Sequence, residues 1–154
     1  MILTTPLLFD ALRATPVLTG LTVPALTLLA EEGVVHDYNA AELIVREDAE
    51  GHSFFILVEG DVEVIKHHDS PHAVLLATLH SRTFFGEMCV VDPVPRAATV
   101  RALSKVTAIE IKAATLYHLF RKMPDQYSIV LLNLARDMAR RLRIIDEAFA
   151  ARAS

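Results

Sequence analysis

Phe54-Phe55-Ile56-Leu57-Val58-Glu59-Gly60-Asp61-Val62-Glu63-Val64-Ile65 is the stretch on which the fold turns. Two runs of β-branched and aromatic residues flank a polar break, where Gly60 supplies the positive φ that a tight hairpin needs. Working outward, Leu43-Ile44-Val45 precedes the hairpin, and Ala73 to Leu79 and Ala108 to Ile111 follow it, each bounded by polar turns. Short strands at roughly ten-residue intervals predict a barrel or sandwich. On either side the period becomes helical. Thr5-Pro6 opens a helix carrying Leu7, Leu8 and Leu12; Thr15-Pro16 interrupts it; a second helix begins at Thr22 and ends before Gly33. Beyond Lys112, Ala113 to Lys122 reads as one helix, and Pro124 opens another that runs to about Ala150. Residues 1–154 are therefore expected to form a single α+β domain. Helices occupy about 5–31, an antiparallel β-roll or jelly-roll barrel about 34–112, and two C-terminal helices about 113–150.

Composition narrows the function classes. A chain of 154 residues buries roughly two-thirds of its unfolded surface, enough for a core without staples. Fifteen Lys and Arg against nineteen Asp and Glu leave a formal charge of −4, which argues against bulk nucleic-acid binding. The single cysteine, Cys89, permits no internal disulfide and fits a reducing compartment. The apolar stretch from Pro16 to Ala30 is broken by Gly20 and Pro24 and is too short for a membrane span, and Met1-Ile2-Leu3-Thr4-Thr5 lacks the charge of an export signal. These features predict a soluble cytoplasmic protein with no membrane partner.

In the last helix Leu131, Ala135, Met138, Leu142, Ile145 and Phe149 repeat at 4-3-4-3-4 spacing. Two readings stand: the seam packs onto the chain's own barrel, or it makes a homodimer with a second copy. Arg136, Arg140, Arg141 and Arg143 read as the solvated face of the same helix, the alternative being a contact to a ligand or a dimer partner. His67, His68, Asp69 and His72 are the metal-like cluster, but they fall between two strand runs and read as a polar hairpin loop, so no metal is expected.

One segment stands apart: Phe84-Phe85-Gly86-Glu87-Met88-Cys89-Val90-Val91-Asp92-Pro93-Val94-Pro95-Arg96-Ala97-Ala98-Thr99-Val100. A strand ends in aromatics, Gly86 lets the backbone bend or approach a ligand, and Glu87 to Val91 makes a short helical turn. Arg96, heading a strand of small residues, offers a fork of donors suited to phosphate oxygens. The small Ala97 and Ala98 leave backbone N–H groups open to the same anion, and Glu87 can accept hydrogen bonds from sugar hydroxyls. An anion clamp beside a hydroxyl acceptor describes a nucleotide pocket.

The segment resembles the phosphate-binding cassette of the cyclic nucleotide-binding domain family, and looks closest to that of the regulatory subunits of cAMP-dependent protein kinase. It shares Phe-Gly-Glu, the same gap, and Pro-Arg-Ala-Ala-Thr-Val. The resemblance runs from roughly Val17 to Phe149. Ala41 to Ile44 and Phe54 to Val64 are similar to the family's early strands and hairpin. Met138-Ala139-Arg140-Arg141-Leu142 resembles the long helix of the bacterial catabolite activator protein.

The resemblance implies that Gly86, through its backbone, and Glu87, through its carboxylate, contact the ribose 2′-hydroxyl. Arg96 would pair with the exocyclic phosphate oxygens, helped by the N–H of Ala97, and Met88, Cys89 and Ala98 complete the ligand-binding set. Taken alone, Cys89 reads as a small core residue rather than a reactive thiol. Ile145 or Phe149 would cover the base. The residue after the arginine, often Thr or Ser in cGMP-selective members, is Ala97 here, so cAMP is expected over cGMP. The chain departs from the pattern where Ala41, and Asp48 or Ala49, replace turn glycines, and where Ile145-Asp146 replaces the catabolite activator's adenine-contacting Thr-Ser pair.

Nothing in the sequence supplies a DNA-recognition helix, and no enzyme activity or cofactor is expected beyond the ligand cAMP, with cGMP second. The expected role is a stand-alone cyclic nucleotide receptor that signals to an unknown downstream partner by moving its C-terminal helix. The alternatives are a ligand-free structural or dimerisation module of the same fold, or the regulatory piece of a larger channel or transcription-factor-like system.

Overall fold

The computed structural model describes residues 5–153. The opening Met1 to Thr4, part of the stretch read above for an export signal, lies outside the described residues, as does Ser154. The chain begins with α1 (Thr5–Ala14), a 3-10 turn (Pro16–Leu18) and α2 (Val23–Glu32). Six strands follow: β1 (Val34–Tyr38), β2 (Leu43–Val45), β3 (Ser53–Glu59), β4 (Val62–Lys66), β5 (Val74–Leu79) and β6 (Phe84–Phe85). A single turn, α3 (Met88–Val91), leads to β7 (Thr99–Ala102) and β8 (Val106–Lys112), and the chain closes with α4 (Ala113–Lys122) and α5 (Pro124–Ala153).

The strands form two four-stranded antiparallel sheets, ordered β1-β8-β3-β6 and β2-β7-β4-β5. This is the expected jelly roll, built as two sheets rather than one closed barrel. Strand β3 shows why its sequence is a continuous apolar run. Side chains alternate across a strand. Phe54, Ile56 and Val58 face the helices in a cluster with Leu12, Leu26, Ile109, Leu119 and Leu134. Phe55 and Leu57 enter a second cluster with Val62, Phe85, Val100 and Val106. Both faces are buried, so both are apolar.

Three expectations shift. Strand β1 was not read as a strand, because His36 and Asp37 interrupt its apolar residues and its burial is only partial. The strand after the cassette begins at Thr99 rather than Arg96, since residues 97–98 bend before pairing with β4 begins. The third concerns the 4-3 seam of α5, which does not hold the helix to its own body. The residues of α5 that are buried are Gln126, Val130 and Leu134. Gln126 Oε1 accepts from the N–H of Thr22 at 2.8 Å, and Asn133 Nδ2 donates to the carbonyls of Val17 at 3.1 Å and Thr19 at 2.9 Å. The seam residues Leu131, Leu142, Ile145 and Phe149 are exposed.

The missing glycines have a structural counterpart. Ala41 sits at φ 73° and Asp48 at φ 66°, in the left-handed region that costs an L side chain roughly 1–2 kcal/mol. Ala41 is held there by its N–H, which donates to Ala102 at 2.8 Å. Ala41→Gly should stabilise the fold by about 0.5–1 kcal/mol, the relieved strain outweighing the entropy glycine adds to the unfolded chain. Urea unfolding monitored by circular dichroism checks this, with an unchanged or lower midpoint counting against it.

Candidate functional site

The segment from Phe85 to Thr99 is held from outside by the turn before β3 and the end of β4. The N–H of Asp48 donates to the Arg96 carbonyl at 2.8 Å, and the N–H of Arg96 donates to Ala49 at 2.9 Å. Lys66 Nζ donates to the Ala97 carbonyl at 2.7 Å and lies 2.8 Å from Glu47. Glu47 also accepts from the His67 N–H at 2.8 Å. The Lys66 ammonium, then the His67 N–H, hold the Glu47 carboxyl below the usual carboxylate range. The backbone on either side of Arg96 is thereby fixed before the Arg96 side chain is considered.

Arg96 is 7 % exposed. Its Nη1 donates to the carbonyls of Ser53 at 2.7 Å and Gly86 at 3.1 Å, and Nη2 donates to Ser53 Oγ at 3.2 Å. A guanidinium carries five N–H donors, so these bonds leave the Nε–H and one Nη2–H unspent. Those two lie side by side, the fork that grips a phosphate or carboxylate bidentately. The guanidinium also lies over the Phe55 ring, with Cζ 5.9 Å from its centroid.

Two glycines make room for this. Gly86 has φ +82°, and a Cβ there would stand 2.6 Å from Arg96 Nη1. At Gly51 a Cβ would stand 2.1 Å from Nε, so only glycine lets the backbone lie against the guanidinium. The N–H groups of Ala97, which is exposed, and of Ala98 make no internal hydrogen bond among the described residues.

Glu87, next to Gly86, is 3 % exposed and precedes α3. Its Oε1 accepts from Arg141 Nη1 of α5 at 2.5 Å. Arg141 is steadied by Asp137, with Nε 2.9 Å from Oδ2, and by the Phe84 ring, 5.7 Å from Cζ. A buried carboxylate without a partner is costly, and here the C-terminal helix supplies the partner.

The structure therefore joins Gly86, Glu87 and Arg96 into one site, through the bond from Arg96 to the Gly86 carbonyl. The site is closed: Arg141 covers Glu87, and Arg96 is buried. Met88 faces outward, while Cys89 is buried with Sγ 3.3 Å from the Val94 carbonyl, in the place of a core residue. Ile145 and Phe149, expected over the base, are 62 % and 75 % exposed; from α5, Arg141 bonds Glu87, and Leu131 and Leu134 line a small cavity with Val90 and Val91 of the cassette. The histidine cluster lies around the β4–β5 turn, and among the described residues no group of His, Cys, Asp or Glu is placed to hold a metal ion. The sequence reading missed Ser53 and Gly51, and read Arg141 first as part of a solvated face, where the structure turns it onto Glu87. Of the two missed residues, only Gly51, an isolated glycine three residues before an apolar run, left a signal of close approach.

Comparison with known proteins gives the fold its family. Residues 35–123 match the family model of the cyclic nucleotide-binding domain, and the chain belongs to that family. It is similar to the cAMP-dependent protein kinase regulatory subunit of Blastocladiella emersonii, 28 % identical over 88 residues that make up 57 % of this chain and 22 % of that protein. It is similar also to human cGMP-dependent protein kinase 2, 34 % identical over 59 % of this chain and 12 % of that protein. Among solved structures the catabolite activator protein of Thermus thermophilus superposes with a TM-score of 0.77 at 25 % identity, covering 88 % of this chain and 62 % of that one. The chain thus spans less than a quarter of the length of these two curated relatives. No helix among the described residues is long and apolar enough to cross a membrane.

If the Gly51 approach fixes the guanidinium, Gly51→Ala should weaken cyclic nucleotide binding by about tenfold or more, the equivalent of ~1.4 kcal/mol. Titration calorimetry measures the loss, and circular dichroism should show the fold retained. An unchanged affinity would mean that Arg96 adopts its binding position without this contact.

Proposed function

We propose that the protein is a cAMP receptor without catalytic activity, in which ligand binding is reported by α5. The observation that carries this reading is the pair of contacts flanking Gly86: Arg96 on its carbonyl, and Arg141 of α5 on the adjacent Glu87. The unspent Nε–H and Nη2–H of Arg96, with the free N–H groups of Ala97 and Ala98, suit the two exocyclic oxygens of a cyclic phosphate. The ribose 2′-hydroxyl would donate to Glu87, the carboxylate that Arg141 now occupies. Ligand and helix then compete for one acceptor, and binding shifts the helix by the difference between those two interactions.

A helix released from Glu87 can bring Ile145 or Phe149 across the base. Ala97 offers no hydroxyl to a guanine amino group, which supports cAMP over cGMP. The exposed seam of α5 supports a homodimer through this helix, since Leu142, Ile145 and Phe149 have no cover from their own chain. A downstream protein would read the rearranged helix.

A second reading, a ligand-free structural module of the same fold, is favoured by one observation: Glu87 and Arg96 are both already buried and partnered. Thermal unfolding with and without cAMP, cGMP and linear AMP separates the two. A receptor should gain ~4 kcal/mol at a thousandfold excess of ligand over Kd, and a structural module should gain nothing.

Arg96→Ala should lower cAMP affinity by about 100-fold or more, as loss of two charge-assisted bonds of ~1.5–3 kcal/mol each requires. Calorimetry giving the wild-type Kd would remove Arg96 from the site. Ala97→Thr should raise cGMP affinity, and competition binding that shows no gain would undercut the selectivity argument. For the dimer, sedimentation velocity should show Ile145→Asp shifting the chain to monomer.

A further inference from the structure

Arg96 is braced from two strands. On the β3 side Ser53 Oγ accepts from its Nη2 and donates to Glu110 Oε1 at 2.7 Å. The brace from β4 acts instead on the backbone that follows the arginine. Val62, Val64 and Lys66 alternate onto one face of β4. Val62 belongs to the cluster of Phe55 and Phe85, the ring pair beneath the guanidinium, and Val64 packs against that cluster. Lys66 therefore leaves the end of the strand on the side of the site, where an apolar face gives way to an ammonium. Its Nζ donates to the Ala97 carbonyl at 2.7 Å and lies 2.8 Å from Glu47 Oε1.

Glu47 fixes the reach of this long side chain. One carboxylate oxygen takes Lys66, the other accepts from the His67 N–H at 2.8 Å, and the Glu47 N–H donates to Thr99 Oγ1 at 3.1 Å. The segment after β2 is thereby tied to the end of β4 and to the start of β7. The Lys66 and Glu47 side chains are 38 % and 14 % exposed, and an ion pair so open to water adds little to stability. What sets this pair apart is the target of its ammonium, a main-chain carbonyl of the cassette.

The peptide bond between Ala97 and Ala98 is trans. In a trans peptide the C=O of one residue and the N–H of the next point in opposite directions. Holding the Ala97 carbonyl on Lys66 therefore aims the Ala98 N–H away from Lys66. One peptide earlier, the Asp48 N–H takes the Arg96 carbonyl at 2.8 Å and so aims the Ala97 N–H away from Asp48. The chain bends at residues 97–98, before the ladder of β7 begins, so no sheet pairing orients these peptides. Their carbonyls are held from outside, and their two successive N–H groups are left beside the buried guanidinium without an internal acceptor among the described residues.

We propose that Lys66, braced by Glu47, is a positioning residue of the phosphate site, whose bond to the Ala97 carbonyl turns the Ala98 N–H to the ligand phosphate. The proposal rests on the reading of Arg96 as the phosphate clamp and adds a requirement to it: Arg96 alone does not suffice when the peptide after Ala97 is free to rotate. Without Lys66 that peptide has to be ordered on binding, which opposes association. Lys66 acts through the backbone and touches no ligand atom.

The test is cAMP titration calorimetry on the wild type, Lys66→Met and Lys66→Arg, with proton–nitrogen correlation spectra of each. Lys66→Met keeps the apolar stem and removes the donor, and should bind about tenfold more weakly, as loss of one charge-assisted bond implies. Lys66→Arg restores a donor and should bind more tightly than Lys66→Met. In the wild type, cAMP should move the amide protons of both Ala97 and Ala98 downfield, as a bond to a phosphate oxygen does. In Lys66→Met at saturating ligand the Ala98 shift should shrink, and the Ala97 shift should persist because Asp48 still holds the Arg96 carbonyl. A general weakening of the fold, or the mere loss of a nearby positive charge, would leave the Ala98 shift in place at saturation. Wild-type affinity in Lys66→Met, a full Ala98 shift in that variant, or a Lys66→Arg variant no tighter than Lys66→Met overturns the proposal. A wild type that binds no cAMP overturns the receptor reading itself, and so is told apart from failure of the Lys66 brace alone.

Discussion

A guanidinium taken out of water needs acceptors set in place around it, and the start of β3 and the irregular backbone between β6 and β7 supply them for Arg96. Ser53 gives a carbonyl and a hydroxyl, Gly86 gives a carbonyl, and Gly51 gives up its side chain so that the chain can lie close. The strained Asp48 belongs to the same arrangement, because its N–H closes on the Arg96 carbonyl. The jelly roll contributes a rigid wall. Phe55, beneath the guanidinium, stacks on Phe85 with ring centroids 5.2 Å apart, and that pair belongs to the core between the sheets. A shift of Arg96 therefore disturbs groups that the fold itself holds fixed.

The carboxylate of the site, Glu87, answers to a different element. Glu87 is satisfied from α5, whose first turns are clamped to the N-terminal segment by Gln126 and Asn133 while its later turns are largely in solvent. Arg141 lies at the boundary between these two regimes. The packed half gives the helix a fixed pivot, and the exposed half has few contacts to lose if it moves, as expected of an element drawn from the low-stability end of a structure.

What the sequence disclosed divides along the range of the interactions. The β3–β4 hairpin, the limits of α4 and the two halves of the cassette were legible because each is written in consecutive residues: a glycine between apolar runs, a return to helical period after Lys112, and Phe-Gly-Glu with Pro-Arg-Ala-Ala at a set interval. The turn positions marked by Ala41 and Asp48 were legible as departures from that pattern, and both prove left-handed. Partners remote in sequence were not legible. Arg141 is 54 residues from Glu87, and Glu110 is 57 from Ser53. No local periodicity encodes which arginine of a basic helix turns inward, or that a glutamate in an apolar strand sits behind a serine. Which stripe of α5 meets the body was not legible for a related reason, since two stripes of similar spacing share that helix and only tertiary packing chooses between them.

Cys89 is the single cysteine of the chain, and it lies sealed inside the cassette. No covalent bridge can therefore tie two copies together without first prising open the ligand site. Any pairing of copies through the exposed half of α5 would then be a matter of mass action, not of covalent linkage.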